Sequence, residues 1–130
     1  MTVLNSYLRK ALLADAIISG VASAGMIAGS GLVAGSFGLP SELLLWAGIG
    51  CIPFVALIAF VLRGETAPAG VVVAIIAINI AWVIASLFVA FGPMFASTLI
   101  GKVFVVAQAA AVALFAELQI IGLRRARAMA

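Results

Sequence analysis

The sequence predicts an all-α integral membrane protein. It forms one domain over residues 1–130, a bundle of four membrane-spanning helices with both termini cytoplasmic. Three observations predict this. Of the 130 residues, 67% are hydrophobic and 8% charged, whereas a soluble domain carries about 25% charged residues to solvate its surface. Four apolar runs reach the roughly 20 residues that cross about 30 Å of hydrocarbon. Lys and Arg gather at alternate boundaries of those runs, which is the asymmetry that orients a chain in a bilayer.

The first span covers about 11–35, the second 43–62, the third 71–91 and the fourth 98–123. The connecting segments "FGLPSE", "RGETAPAG" and "FGPMFAST" each contain Gly and Pro, which suits tight turns between helices. Ser41 and Ser97 are placed to cap the second and fourth helices. Arg9 and Lys10 precede span one, Arg63 lies between spans two and three, and Arg124, Arg125 and Arg127 follow span four. With an even number of spans these six fall on one side, expected to be cytoplasmic. Lys102 falls toward the other side, about one turn into span four, where it could snorkel. Trp46 and Phe95 are expected near that outer interface. Arg9, Lys10 and the segment "VASAG" imitate a secretory signal peptide, but Asp15 interrupts the would-be apolar region.

Span one contains two small-residue spacings, Gly25 with Gly29 and Gly31 with Gly35. Close backbone approach drives helix packing in lipid, so these positions are expected at a helix seam. On span four, Ala110 and Ala113 fall on one line with Val106 and Glu117. Spans one and four are therefore expected to pack on each other, closing the bundle or forming a seam between chains. Pro53 lies in the middle of span two and removes one helix hydrogen bond there.

Ionisable residues inside spans are costly and tend to face protein or water. Asp15 lies ~7 Å along the helix from Lys10, and Glu117 ~10 Å from Arg124. Both therefore belong to the inner leaflet at similar depth. Three arrangements are open: each carboxylate reaches the interface or pairs with Arg9, Lys10, Arg124 or Arg125; the two meet and share a proton or bind a cation; or they contact a partner. Asn79 and Gln108 lie nearer the midplane, where a hydrogen bond between them would join spans three and four. Asp15 shares a face with Ser19, Asn79 with Ser86, and Gln108 with Gln119. Asp15, Glu117, Gln119, Asn79 and Gln108 thus form the candidate intramembrane polar site.

The chain has no His and one Cys, Cys51, which removes the commonest general base, an internal disulfide and a Cys/His metal site. No nucleotide, hydrolase or metal motif is present, so no catalytic residue, metal or cofactor is assigned. The net charge of +3 is placed to orient the spans rather than to bind nucleic acid.

The segments "LPSELLLWAGIGCIPFVALIAFVLR", "AINIAWVIASLF" and "VAQAAAVALFAELQIIGLRR" carry a pattern. Leu-Pro (Pro40) opens span two and Pro53-Phe54 lies within it. Asn79, Trp82 and Val83 mark span three, and Ala116-Glu117-Leu118-Gln119 ends span four. From Leu39 onward the chain resembles a group of small four-span bacterial inner-membrane proteins. The resemblance implies the fold and the location, and brings no activity. The expected function is that of a non-enzymatic membrane protein, in contact with the lipid bilayer, that self-associates as a homo-oligomer or joins a larger membrane complex. The alternative is an oligomeric proton-coupled small-solute transporter or channel using the inner-leaflet carboxylates.

Overall fold

The computed structural model describes residues 1–128. Its four helices are α1 (Ser6–Phe37), α2 (Ser41–Leu62), α3 (Ala69–Phe91) and α4 (Leu99–Ala128). All four are long and apolar enough to cross a membrane. Two strands, β1 (Thr2–Val3) and β2 (Thr66–Ala67), pair antiparallel with Thr2 opposite Ala67. The bundle is all-α apart from this short ladder, which the sequence reading missed.

The first and last helices run past the apolar segments that announce them. Hydropathy marks the part of a helix that suits lipid, whereas caps mark where it ends. Helix α1 begins at Asn5, whose side chain accepts from Leu8 N at 2.8 Å. It ends at Gly38, whose φ of 66° is the left-handed conformation that closes helices. Helix α4 continues through Arg125 and Arg127, cations that suit a helix C-terminus.

Two expected caps differ. Ser41 is the first residue of α2, with Pro40 in the capping position and no side-chain cap. At α4, Thr98 takes the role expected of Ser97, accepting from Gly101 N at 3.1 Å. Ser97 instead accepts from Lys102 Nζ at 2.8 Å, so the lysine folds back onto its own helix start. Helix α2 continues through Pro53, which is exposed.

Close backbone approach joins α1 to α2, α3 to α4 and α1 to α4. The order around the bundle is therefore α2, α1, α4, α3, with α2 and α3 barely in touch. Two apolar clusters bridge that gap at its ends. Leu8, Leu12, Ile58, Val72, Ile75 and Leu123 form one beside the termini. Leu39, Leu44, Ala90 and Val105 form the other at the opposite end.

Helices α1 and α4 do pack, but not through the expected seams. No atom lies within 4 Å of a Cβ built on Gly25, Gly29, Gly31 or Gly35. Ala110 and Ala113 are exposed on the bundle surface. The close approaches use Gly122, whose added Cβ would stand 2.9 Å from Leu8 Cα, and Gly101, whose Cβ would stand 2.1 Å from Phe37 O. Gly48 does the same between α2 and α1, beside Ser23 O at 3.0 Å. Within one chain the difference from the expected seam is one of phase. The wall of α4 toward the bundle is Gly101, Val105, Ala109, Ala116, Gln119 and Leu123, next to the stripe that the alanines suggested.

The end bearing the termini is tied by polar contacts. Arg9 donates to Leu62 O at 2.8 Å and to Gly64 O at 2.7 Å, satisfying carbonyls that the end of α2 leaves open. Arg125 lies over the Tyr7 ring, 4.2 Å from its centroid. Asn5 Nδ2 donates to Gly122 O at 3.1 Å. Arg9→Met removes two charge-assisted bonds at a half-buried site. It is expected to lower stability by about 1–2 kcal/mol and to raise hydrogen exchange selectively over residues 62–67. Unchanged exchange there would show that the turn holds without the guanidinium.

Candidate functional site

The register of α1 against α4 places residue 15 level with residue 119, and α3 brings residue 79 to the same level. The result is a buried polar cluster. Asp15 and Gln119 are 0% exposed and Asn79 3%. Gln119 Nε2 donates to Asp15 Oδ2 at 2.7 Å, and Asn79 Nδ2 donates to the same oxygen at 2.8 Å. Asn79 Nδ2 also donates to Gln119 Oε1 at 3.0 Å, closing a triangle across three helices. Ser19 Oγ, one turn along α1, donates to Asp15 Oδ1 at 3.0 Å. A carboxylate only accepts, so its partners must all donate, and these do. All of them are neutral.

Toward the opposite end lies a second set. Trp82 Nε1 donates to Gln108 Oε1 at 2.8 Å, and Gln108 Nε2 donates to Ser86 Oγ at 2.9 Å and Val105 O at 2.7 Å. Ser86 Oγ donates to Trp82 O at 2.7 Å. These bonds fix the Trp82 ring at the bundle centre. Between α1 and α2, Ser23 Oγ donates to Gly48 O at 2.6 Å.

The structure thus separates the candidate polar residues. It brings Asp15, Asn79 and Gln119 together and sets Gln108 apart with Trp82. The contemplated Asn79–Gln108 bond is replaced by Asn79–Gln119, because Asn79 lies at the level of Asp15. Glu117 does not meet Asp15. It is exposed on the outer face of α4, and Gln119, two residues on and turned inward, takes the place beside Asp15. Neither does Asp15 reach the interface or pair with Arg9, Lys10, Arg124 or Arg125. Of these, Arg9 is spent on carbonyls and Arg125 lies over Tyr7. Ser19 was legible as a neighbour of Asp15 by helical spacing, whereas Ser86, expected beside Asn79, joins Gln108 and Trp82 instead. The role of Trp82 was not legible, because an indole in a span is equally at home in lipid.

Where α2 and α3 part, two adjoining cavities of about 160 and 180 Å³ occupy the middle of the bundle. They share Ala22, Met26, Trp82 and Gln108 as walls. In the first, Gly50, Cys51 and Phe54 of α2 face Ile78, Asn79 and Trp82 of α3, with Ser19 beside them. The polar cluster therefore borders a cavity that is otherwise apolar. Among the described residues no group of His, Cys, Asp and Glu is placed to hold a metal ion. Comparison with models of protein families, with curated proteins and with solved structures gives no match.

Proposed function

We propose that the chain is a non-enzymatic integral membrane protein that assembles with further copies of itself through the outer face of α4. One observation carries this reading. Glu117 is exposed on a helix face whose neighbours at helical spacing, Ala107, Ala110 and Ala113, are also exposed. A carboxylate turned toward hydrocarbon is unfavourable, and small residues beside it allow another backbone to come close. The outward face of α1, with Ala24, Gly25 and Ala28, offers a second such surface at the same level of the bundle. A bacterial inner membrane with both termini cytoplasmic fits the six basic residues at the end that carries the termini.

The test is native mass spectrometry after gentle extraction. The expected result is a homo-oligomer that the double variant Ala110→Leu/Ala113→Leu converts to monomer, with helix content and unfolding of the monomer unchanged. A chain that is monomeric at every concentration sinks the reading, and a fixed ratio with a different protein replaces it with that of an accessory subunit.

A second reading, transport of a small solute, is supported by the Asp15 cluster beside the cavity. It uses Asp15 alone of the two carboxylates. In vesicles it expects proton-coupled flux that Asp15→Asn abolishes.

A further inference from the structure

We propose that the cavity between α2 and α3 is a binding site for a lipophilic amine in its protonated form, taken up sideways from the bilayer. The proposal deepens the second reading above by naming the ligand class, and it is independent of self-association.

The unspent polar capacity at the cavity is of one kind. The Asn79 amide nitrogen donates both its hydrogens, to Asp15 and Gln119. Its Oδ1 accepts from no group among the described residues, although Asn79 is buried and lines the cavity. Ser19 spends its hydrogen on Asp15 and keeps its lone pairs. Trp82 Nε1 and both hydrogens of Gln108 Nε2 are spent as well. The walls therefore offer acceptors and, beyond the weak thiol donor of Cys51, no donor. A ligand carrying a carbonyl or carboxylate finds only that thiol, whereas one that brings N–H or O–H groups completes the site.

Charge then separates an amine from an alcohol. Asp15 lies one hydrogen bond behind Asn79, and its own partners are all neutral. A fold that needed only hydrogen bonds here would be served by Asn at position 15. One oxygen would keep both amide donors, and the amide nitrogen would donate to Ser19, whose hydroxyl can turn to accept. What the carboxylate adds is charge, and in an apolar surrounding that charge favours a cation nearby. Phe54 and Trp82 line the same cavity and present rings to which an ammonium is attracted.

Shape and access agree. The other walls, such as Ile18, Ala22, Met26 and Val112, suit an alkyl or aryl body. The two cavities together reach about the 300 Å³ at which small-ligand pockets begin. Apolar clusters close the gap at both ends of the helices, and α2 and α3 part between them. The way in is therefore from the side, at membrane depth.

The experiment uses the full chain in lipid nanodiscs with Trp46→Phe, which leaves Trp82 as the one fluorophore of its kind. Trp46 is exposed and lines neither cavity. The probes are n-octylamine, n-octanol and octanoate at equal membrane concentration. The expected result is a saturable change in Trp82 emission with octylamine, weaker by about tenfold with octanol and absent with octanoate. Asp15→Asn is expected to weaken octylamine by about tenfold and to leave octanol unchanged. Ala22→Leu fills the wall shared by both cavities, replaces no residue of the polar cluster and is expected to abolish saturation for every probe. Should Asp15→Asn not fold, the ranking of the three probes and Ala22→Leu still decide. Equal binding of octylamine and octanol, preference for octanoate, or saturation that survives Ala22→Leu overturns the proposal. Octylamine binding without any flux in vesicles would keep the site and remove the transport reading.

Discussion

Asn79→Leu is expected to lower the stability of the bundle by about 2–4 kcal/mol. The variant removes two bonds at once. One is a neutral amide bond to Gln119, worth about 0.6 kcal/mol between membrane helices. The other serves the buried carboxylate of Asp15, and bonds to charged groups contribute about 1.5–3 kcal/mol. Leucine cannot replace either, and it leaves Asp15 with one amide donor and one hydroxyl. Asp15→Asn is expected to behave in the opposite way, with stability unchanged or raised by up to about 2 kcal/mol. It keeps every partner and takes a charge out of an apolar interior. In the Asp15→Asn background, Asn79→Leu should cost about 1–2 kcal/mol less than in the parent, because no charge is then left short of donors. Reversible unfolding in mixed detergent micelles, followed by helicity, measures all three. A loss above about 1 kcal/mol for Asp15→Asn alone would make the carboxylate a structural requirement and remove the argument that its charge serves a ligand.

Some of this cluster was legible in the sequence and some was not, for reasons that lie in helix geometry. Hydropathy and the placing of Lys and Arg gave the four helices, because crossing hydrocarbon needs length and apolarity that each run displays openly. Helical spacing gave the one partnership that lies within a single helix, Ser19 with Asp15, whereas Gln108 and Gln119, expected on one face, serve two separate sets. What failed was phase between helices. Asp15 and Glu117 were matched by depth, which left their meeting as one open arrangement, and depth fixes the level but not the rotation. The deciding contacts each have one partner outside the apolar runs: Asn5 on Gly122, Leu8 against Gly122, and Thr98 on Phe37 O at 2.9 Å. These turn Gln119 inward and Glu117 outward, two residues apart and therefore ~200° around the helix. The same rotation misled the reading of the glycines. A repeat of small residues shows that a backbone is approachable, not which neighbour approaches. The isolated Gly101 and Gly122 carried no repeat and so no signal.

That distinction between glycines gives the second large effect. Gly101→Ala is expected to destabilise by about 1–3 kcal/mol, even though alanine is the better helix former by up to about 1 kcal/mol. The added carbon would fall 2.1 Å from Phe37 O and 2.9 Å from the carbonyl carbon, both backbone atoms that cannot rotate aside. Helices α1 and α4 must then separate at the end away from the termini. The bonds lost there are those from Thr98 N to Phe37 O and from Thr98 Oγ1 to Ser36 O, and the stacking of Phe37 on Phe104 loosens with them. The amide of Thr98 should lose its protection from hydrogen exchange before the rest of α4. Gly25→Ala and Gly29→Ala meet nothing within 4 Å, so in a single chain they should cost nothing and gain up to about 1 kcal/mol of helix propensity. Unfolding measured at high dilution and again at high protein-to-lipid ratio separates the two cases. If Gly101→Ala is tolerated, the α1–α4 junction is not as close as described. If Gly29→Ala loses stability only at the high ratio, the missing neighbour is another chain, and the outward face of α1 takes part in assembly.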